Sequence, residues 1–221
     1  MRKHIIAAAI AALSLSGVVL AHEAGDVILR VGVAHADPDV SSSKIKLDGR
    51  PQPGTGVDVG SDTQLGLTAT LMVMPHFGIE LLAATPFTHK LTITQKGYSD
   101  FKLGKASQLP PTVSAQFFFL NPKSRFQPYV GLGVTYTAFY NEKLSNEAKA
   151  DGFSNLSLKN SFGLTGQLGM DYALGDSLFL NAAVWRMGMS TTAKMKGLYG
   201  DYKVDVDVDP WVYFFGVGFK F

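Results

Sequence analysis

The last eleven residues, Trp211 to Phe221, keep Trp211, Tyr213, Phe215, Val217, Phe219 and Phe221 on one side of an extended strand, up to the final residue. The other side mixes Val212, Phe214, Gly216, Gly218 and Lys220. A largely aromatic row that runs to the terminus fits a sheet whose outer face meets lipid. The competing reading is the closing strand of a soluble sandwich or lipocalin-like barrel, which hides such a row in a core.

The opposite end reads as an export signal. Arg2 and Lys3 precede an apolar run from Ile5 to Leu20, and Val19-Leu20-Ala21 forms a small-residue cleavage site. Residues 1 to 21 are therefore expected to be a signal peptide and 22 to 221 the mature domain. The run is short for a membrane-spanning helix. The chain has 20 Lys and Arg against 18 Asp and Glu, so losing Arg2 and Lys3 leaves 18 against 18. A formally neutral chain gives no footprint for nucleic acid. Cysteine is absent, which excludes disulfides, thiolate metal sites and a thiol nucleophile.

Eight stretches alternate with period two: about Asp26 to Asp37, Ser61 to Met74, Gly78 to Thr94, Thr112 to Leu120, Phe126 to Asn141, Leu158 to Leu174, Ser177 to Lys194, and the terminal strand. Short connections at 75 to 78, 121 to 125 and 174 to 177 alternate with long ones, as expected when one rim faces the periplasm. Residues 142 to 157 have room for a short helix. Valine, leucine and aromatics recur on one face, while Gln64, Glu80, Gln116, Gln167, Asp171, Asn181 and Lys220 fall on the other. The expected fold is an all-β, eight-stranded antiparallel transmembrane β-barrel of the bacterial outer membrane, apolar outside and polar within. Arg186 shares the outward face of its strand, which places it at the outer interface or beyond a bulge.

The inward face is not that of an aqueous pore. Parity sends Leu82 and Ala84 in beside Glu80, and Phe179, Trp185 and Met187 in beside Asn181; Met72, Met74, Phe118, Phe139 and Phe214 join them. One reading is that these residues fill a lumen barely wider than its side chains. The other is an apolar conduit constricted at Leu82 and Trp185 and lined by Met72, Ala84, Phe118, Phe179, Met187 and Phe214. Gln64, Glu80, Gln116 and Asp171 then plug its periplasmic side. In Val204 to Asp209 the valines point in and Asp205, Asp207 and Asp209 out, so this wall stands clear of lipid. Leu109-Pro110-Pro111 and Asp209-Pro210 interrupt ladder donors near that level, where a side opening or a simple strand end are both open readings.

Seven stretches resemble the outer membrane protein W family in order: His22 to Asp26, Thr63 to Thr68, Gly78 to Phe87 with His89-Lys90, Leu109 to Thr112, Pro128 to Gly131, Leu156 to Lys159, and Asp209 to Val212 leading to the terminal Phe. The resemblance implies an eight-stranded outer-membrane barrel with a narrow hydrophobic channel. Such a channel passively admits small hydrophobic solutes and releases them sideways into outer-membrane lipid. It also implies that Leu82 and Trp185 meet at the constriction. The C-terminal strand ending in Phe221 is the expected assembly signal for the barrel-assembly machinery. Residues 40 to 60 do not match closely.

Two other function classes stand beside this one. A structural or receptor barrel has a filled, non-conducting lumen and works through its loops. An enzyme needs a nucleophile and base in reach, and neither His35, His76 nor His89 has a serine and carboxylate in a recognisable arrangement. His76 is expected in a solvated turn and His89 at the outer rim. With dispersed histidines and no carboxylate cluster of ligand spacing, no catalytic residue, metal or cofactor is expected.

Overall fold

The structure, a computed structural model, describes residues 22–221. The expected signal peptide lies outside the described residues. The fourteen main strands are β1 (Val27–Asp37), β2 (Thr55–Val59), β3 (Asp62–Met74), β4 (Phe77–Ala84), β5 (Phe87–Gln95), β6 (Phe101–Leu109), β7 (Thr112–Phe118), β8 (Phe126–Leu144), β9 (Ser154–Leu158), β10 (Ser161–Ala173), β11 (Leu178–Met187), β12 (Ser190–Gly197), β13 (Gly200–Asp207) and β14 (Trp211–Lys220). Three two-residue strands lie within 41–51, and helix α1 (Asn146–Ala150) falls inside the stretch with room for one.

These strands form two storeys. The lower is a closed antiparallel barrel in the order β7-β4-β3-β1-β14-β11-β10-β8, sealed by β7 on β8. Its closure satisfies the backbone where lipid offers no hydrogen bonds. Phe221 extends the seam between the first and last strands, β1 and β14, by exchanging backbone bonds with Val27. The upper storey continues the same strands as two sheets, β8-β6-β5-β2 and β9-β12-β13 with the short bridges. Most strands break between storeys, at Thr85-Pro86, Pro110-Pro111, Lys159-Asn160, Gly188-Met189 and Val208 to Pro210. Only β8 runs through unbroken.

Side-chain direction follows the alternation. Leu65, Leu67, Leu81, Leu132, Leu164, Phe215 and Val217 are exposed around the lower barrel, and their neighbours in sequence turn inward. Apolar exposure on this scale belongs against hydrocarbon. Arg186 sits at the top of the lower storey, 2.9 Å from Asp39 and stacked over Trp211 at 5.2 Å. That is the interfacial position expected for it. Met74 corrects the alternation: a register shift between Met72 and Met74 turns it outward, and it is exposed.

Candidate functional site

The lower lumen is closed by a layer of paired polar side chains. Arg30, on β1, grips Asp171 on β10 with two bonds, Nε to Oδ1 at 3.0 Å and Nη2 to Oδ2 at 2.6 Å. Its Nη1 donates to Thr70 Oγ1 at 2.8 Å and reaches Glu80 Oε2 at 3.4 Å. Glu80 also accepts from Gln167, which accepts from Gln116, while Asp171 accepts from Asn181 and contacts His22 Nε2. Six of the eight barrel strands supply these side chains; β8 passes the layer at Gly131, against Gln167, and β14 at Gly216 and Gly218. A Cβ at Gly218 would overlap the Phe179 ring, so the missing side chain leaves space for the apolar cluster beneath the layer. Charges removed this far from water persist because each has several partners.

Below the layer, toward the periplasmic turns, Ile28, Met72, Phe118, Tyr129 and Phe179 form an apolar cluster. The His22 ring packs edge-on against Phe118 and Phe179. Above it Leu82, Phe87, Trp185, Met187 and Phe214 form a second cluster, with Ala84 against it. The Trp185 and Phe214 rings meet edge to face at 6.1 Å.

Of the sequence-predicted lining, Ala84, Met187 and Phe214 therefore join Leu82 and Trp185. Met72, Phe118 and Phe179 do not; they lie under the polar layer. Glu80, Gln116 and Asp171 are in that layer. Gln64 is not, because β3 descends from Asp62, so Gln64 lies near its upper end, bonded to Asp62 and Thr85. Arg30 and Asn181 face inward as their alternation requires, but their pairing with Asp171 spans 141 and 10 residues and is not a local pattern. Arg30, His22, Thr70, Gln167 and Asn181 are the layer's members that the predicted plug lacked.

The upper lumen is an apolar pocket with about 610 Å³ of space between atoms, its open end included. Val57, Leu91, Leu103, Phe139, Val204 and Val206 line it. The valines of β13 face in as expected; Asp209, expected outward, instead bends at φ 31° and accepts from the Met189 N–H. His89 is also in this wall and is buried, not at the rim, because the Thr85-Pro86 break shifts the phase of β5 by one residue. Its Nδ1–H donates to Gly60 O at 2.6 Å, and Gln108 lies 2.9 Å from Nε2. Burial lowers the His89 pKa from the usual imidazole range, against the pull of the Gly60 carbonyl and Asp62.

The ladder between neighbouring strands is interrupted beside the constriction. β4 pairs with β7 up to Leu82 opposite Thr112, and β5 pairs with β6 from Phe87 opposite Gln108 upward. Between them no ladder pair among the described residues joins 83–86 to 109–111, where Pro86, Pro110 and Pro111 have no N–H to give. The second proline site differs. At Asp209-Pro210 both flanks stay bonded, through Met187 N–H to Pro210 O and Asp39 N–H to Val208 O. Of these two proline sites, the first leaves neighbouring strands unpaired.

Comparison with known proteins gives a consistent picture. The family model described as OmpW family matches residues 23–221. Outer membrane protein W of Escherichia coli strain K12 is 40% identical over 222 residues, with all of both chains covered. Outer membrane protein W of Vibrio cholerae serotype O1 is 39% identical over the same length and coverage. The crystal structure of the outer membrane protein OprG from Pseudomonas aeruginosa superposes with a TM-score of 0.88 at 50% identity, covering 92% of this chain and 99% of that one.

Proposed function

Because the chain belongs to the OmpW family of outer-membrane β-barrels, we propose that it is a passive conduit delivering small apolar solutes sideways into the bilayer. The solute enters the upper pocket from outside, loses water against Val204, Val206 and Met187, and meets Leu82 and Trp185. The Arg30 layer stops it from continuing to the periplasm. It leaves through the unpaired wall at 83–86 and 109–111. The observation that carries this reading is the sequence of levels: apolar pocket, apolar constriction, shut ion-paired floor, with the wall unpaired beside the constriction.

No energy source is needed. Shedding about 200 Å² of apolar surface from water is worth roughly 5 kcal/mol at 25 cal/mol per Å², in lumen and lipid alike. Partition supplies the direction. Phe221, placed at the barrel seam, serves in this reading as the contact offered to the barrel-assembly machinery, and no catalytic step is involved.

Uptake of an apolar fluorescent reporter by proteoliposomes tests the conduit. Trp185→Asp, which puts an unpaired carboxylate at the constriction, is expected to slow uptake roughly tenfold, since the solute must desolvate beside it. Trp185→Ala is expected to keep or raise the rate. Equal rates with native protein, both variants and no protein would remove the proposal. The packing of Leu82, Trp185 and Phe214 favours a second reading, a filled barrel that acts through its loops, and that outcome would support it.

A further inference from the structure

The outer wall of the upper storey sets three lysines directly opposite one another. Lys90 on β5 pairs with Lys105 on β6, and Lys105 with Lys143 on β8. All three are exposed. Like charges opposed across a ladder destabilise it, so this row costs the fold stability unless something anionic covers it.

Local irregularities gather further charge at the same place. Lys102 and Lys105 are three residues apart and would point to opposite faces of a regular strand. A register shift at Leu91 and Thr92 exposes both and buries Leu103 between them. A second shift, between Tyr140 and Lys143, turns Lys143 outward three residues after the outward Tyr140. A Cβ at Gly104 would lie 2.2 Å from the Lys143 carbonyl, so these bulged strands approach closely only because of the glycine. Ser145 caps α1 and donates to Lys102 O, bringing Lys149 to the same groove. The groove has about 890 Å³ of open volume, and Lys90, Lys102, Lys105, Lys143 and Lys149 all line it. Among the described residues none of the five has an ion pair within 4.0 Å.

The opposite wall supplies a contrast. Lys46, Lys203 and Lys194 are aligned in the same way on the short bridge, β13 and β12. There Asp205 stands 4.0 Å from Lys46 and 3.8 Å from Lys203. One row carries its own counter-charge and the other does not.

Height identifies the missing counter-charge. Lys90 follows Pro86 by four residues and Lys105 precedes Pro110 by five, which puts the row roughly 10 Å above the lipid edge for tilted strands. Ordinary headgroups reach only about 5 to 8 Å beyond the hydrocarbon, so an anion at that height belongs to a lipid with a larger phosphorylated head. We propose that Lys90, Lys105 and Lys143, with Lys102 and Lys149, bind the phosphates of lipopolysaccharide. Compact ammonium groups on long stems suit phosphates as point charges. The site goes beyond the conduit and does not rest on it, although β5 and β6 also flank the unpaired wall below.

The test uses full-length protein in phospholipid nanodiscs, titrated with purified lipopolysaccharide before and after enzymatic dephosphorylation. Three proteins are compared: native, Lys90→Gln/Lys105→Gln/Lys143→Gln, and Lys46→Gln/Lys203→Gln/Lys194→Gln. The first triple variant is expected to bind phosphorylated glycolipid roughly tenfold more weakly, and the second about as well as native protein. Dephosphorylation is expected to abolish the difference. Without glycolipid the first variant is expected to unfold at the same or a higher temperature, because a repulsion has been relieved; this shows that it is folded. Equal losses in both variants, unchanged binding in the first, or binding of a soluble sulfated polysaccharide in place of lipopolysaccharide would each overturn the proposal.

Discussion

The two storeys of the barrel reverse their outward chemistry at the level of Pro86 and Pro110. Below it, Leu81, Leu132 and Phe215 face out and Arg30, Glu80 and Asp171 face in; above it, Lys90, Lys105 and Asp207 face out and Leu91, Leu103 and Val206 face in. The strand period is the same in both. What changes is the medium outside, hydrocarbon below and water above; inside, the lower storey sets one charged layer between two apolar clusters, and the upper storey is lined by apolar side chains. The apolar lumen continues past the strand breaks to Leu82 and Trp185 and ends on the polar floor beneath them.

The largest expected effect breaks the lower interior. Arg30→Met strands Asp171 and Glu80 without their cation, and should cost about 3 to 5 kcal/mol in urea unfolding from lipid vesicles. A loss below about 1 kcal/mol would mean that water already reaches the floor. Next comes the same substitution on the two exteriors. Leu168→Arg at mid-depth of the lower barrel should cost roughly 2 to 4 kcal/mol, while Ser157→Arg on the upper wall should change stability by no more than about 0.5 kcal/mol. Equal costs would deny the change of medium.

Two smaller effects sharpen the upper storey. Ser145→Ala removes the cap of α1 and should cost about 1 kcal/mol, seen as faster amide exchange at Ala148, whose N–H it binds. The smallest effect is a slope with pH. His89 has a depressed folded-state pKa, so the unfolded chain binds the extra proton first. Its contribution is fully present above the unfolded imidazole pKa of about 6.5 and is lost as pH falls below it. His89→Gln should flatten unfolding curves between about pH 7.5 and 5; an unchanged slope would place a protonated imidazole in that wall.

Alternation gave the face of each residue but not its height. Leu82 and Trp185 point inward by parity, and both strands rise from periplasmic turns by a similar count, so they meet. Gln64 has inward parity too, yet it lies ten residues and more from the turn at 75–76 and cannot reach a floor built close to that end. Met72, Phe118 and Phe179 lie within a few residues of turns and drop beneath the floor for the same reason. Counting residues from the nearest short turn is the signal that separates these groups. Met74 and His89 needed more, since a bulge and a proline break each shift the phase by one residue. The Arg30–Asp171 pair was outside local reading altogether, joined only when the barrel closes.

In the proposed conduit a solute leaves through the side of the barrel and not through its floor. A photoreactive alkane, added outside protein-bearing vesicles and activated during uptake, can be mapped on the chain by mass spectrometry. Adducts are expected at Leu82, Ala84 and Leu109 to Pro111, with reporter recovered in lipid. Adducts at Met72, Phe118 or Phe179 with reporter released into the vesicle interior would contradict it.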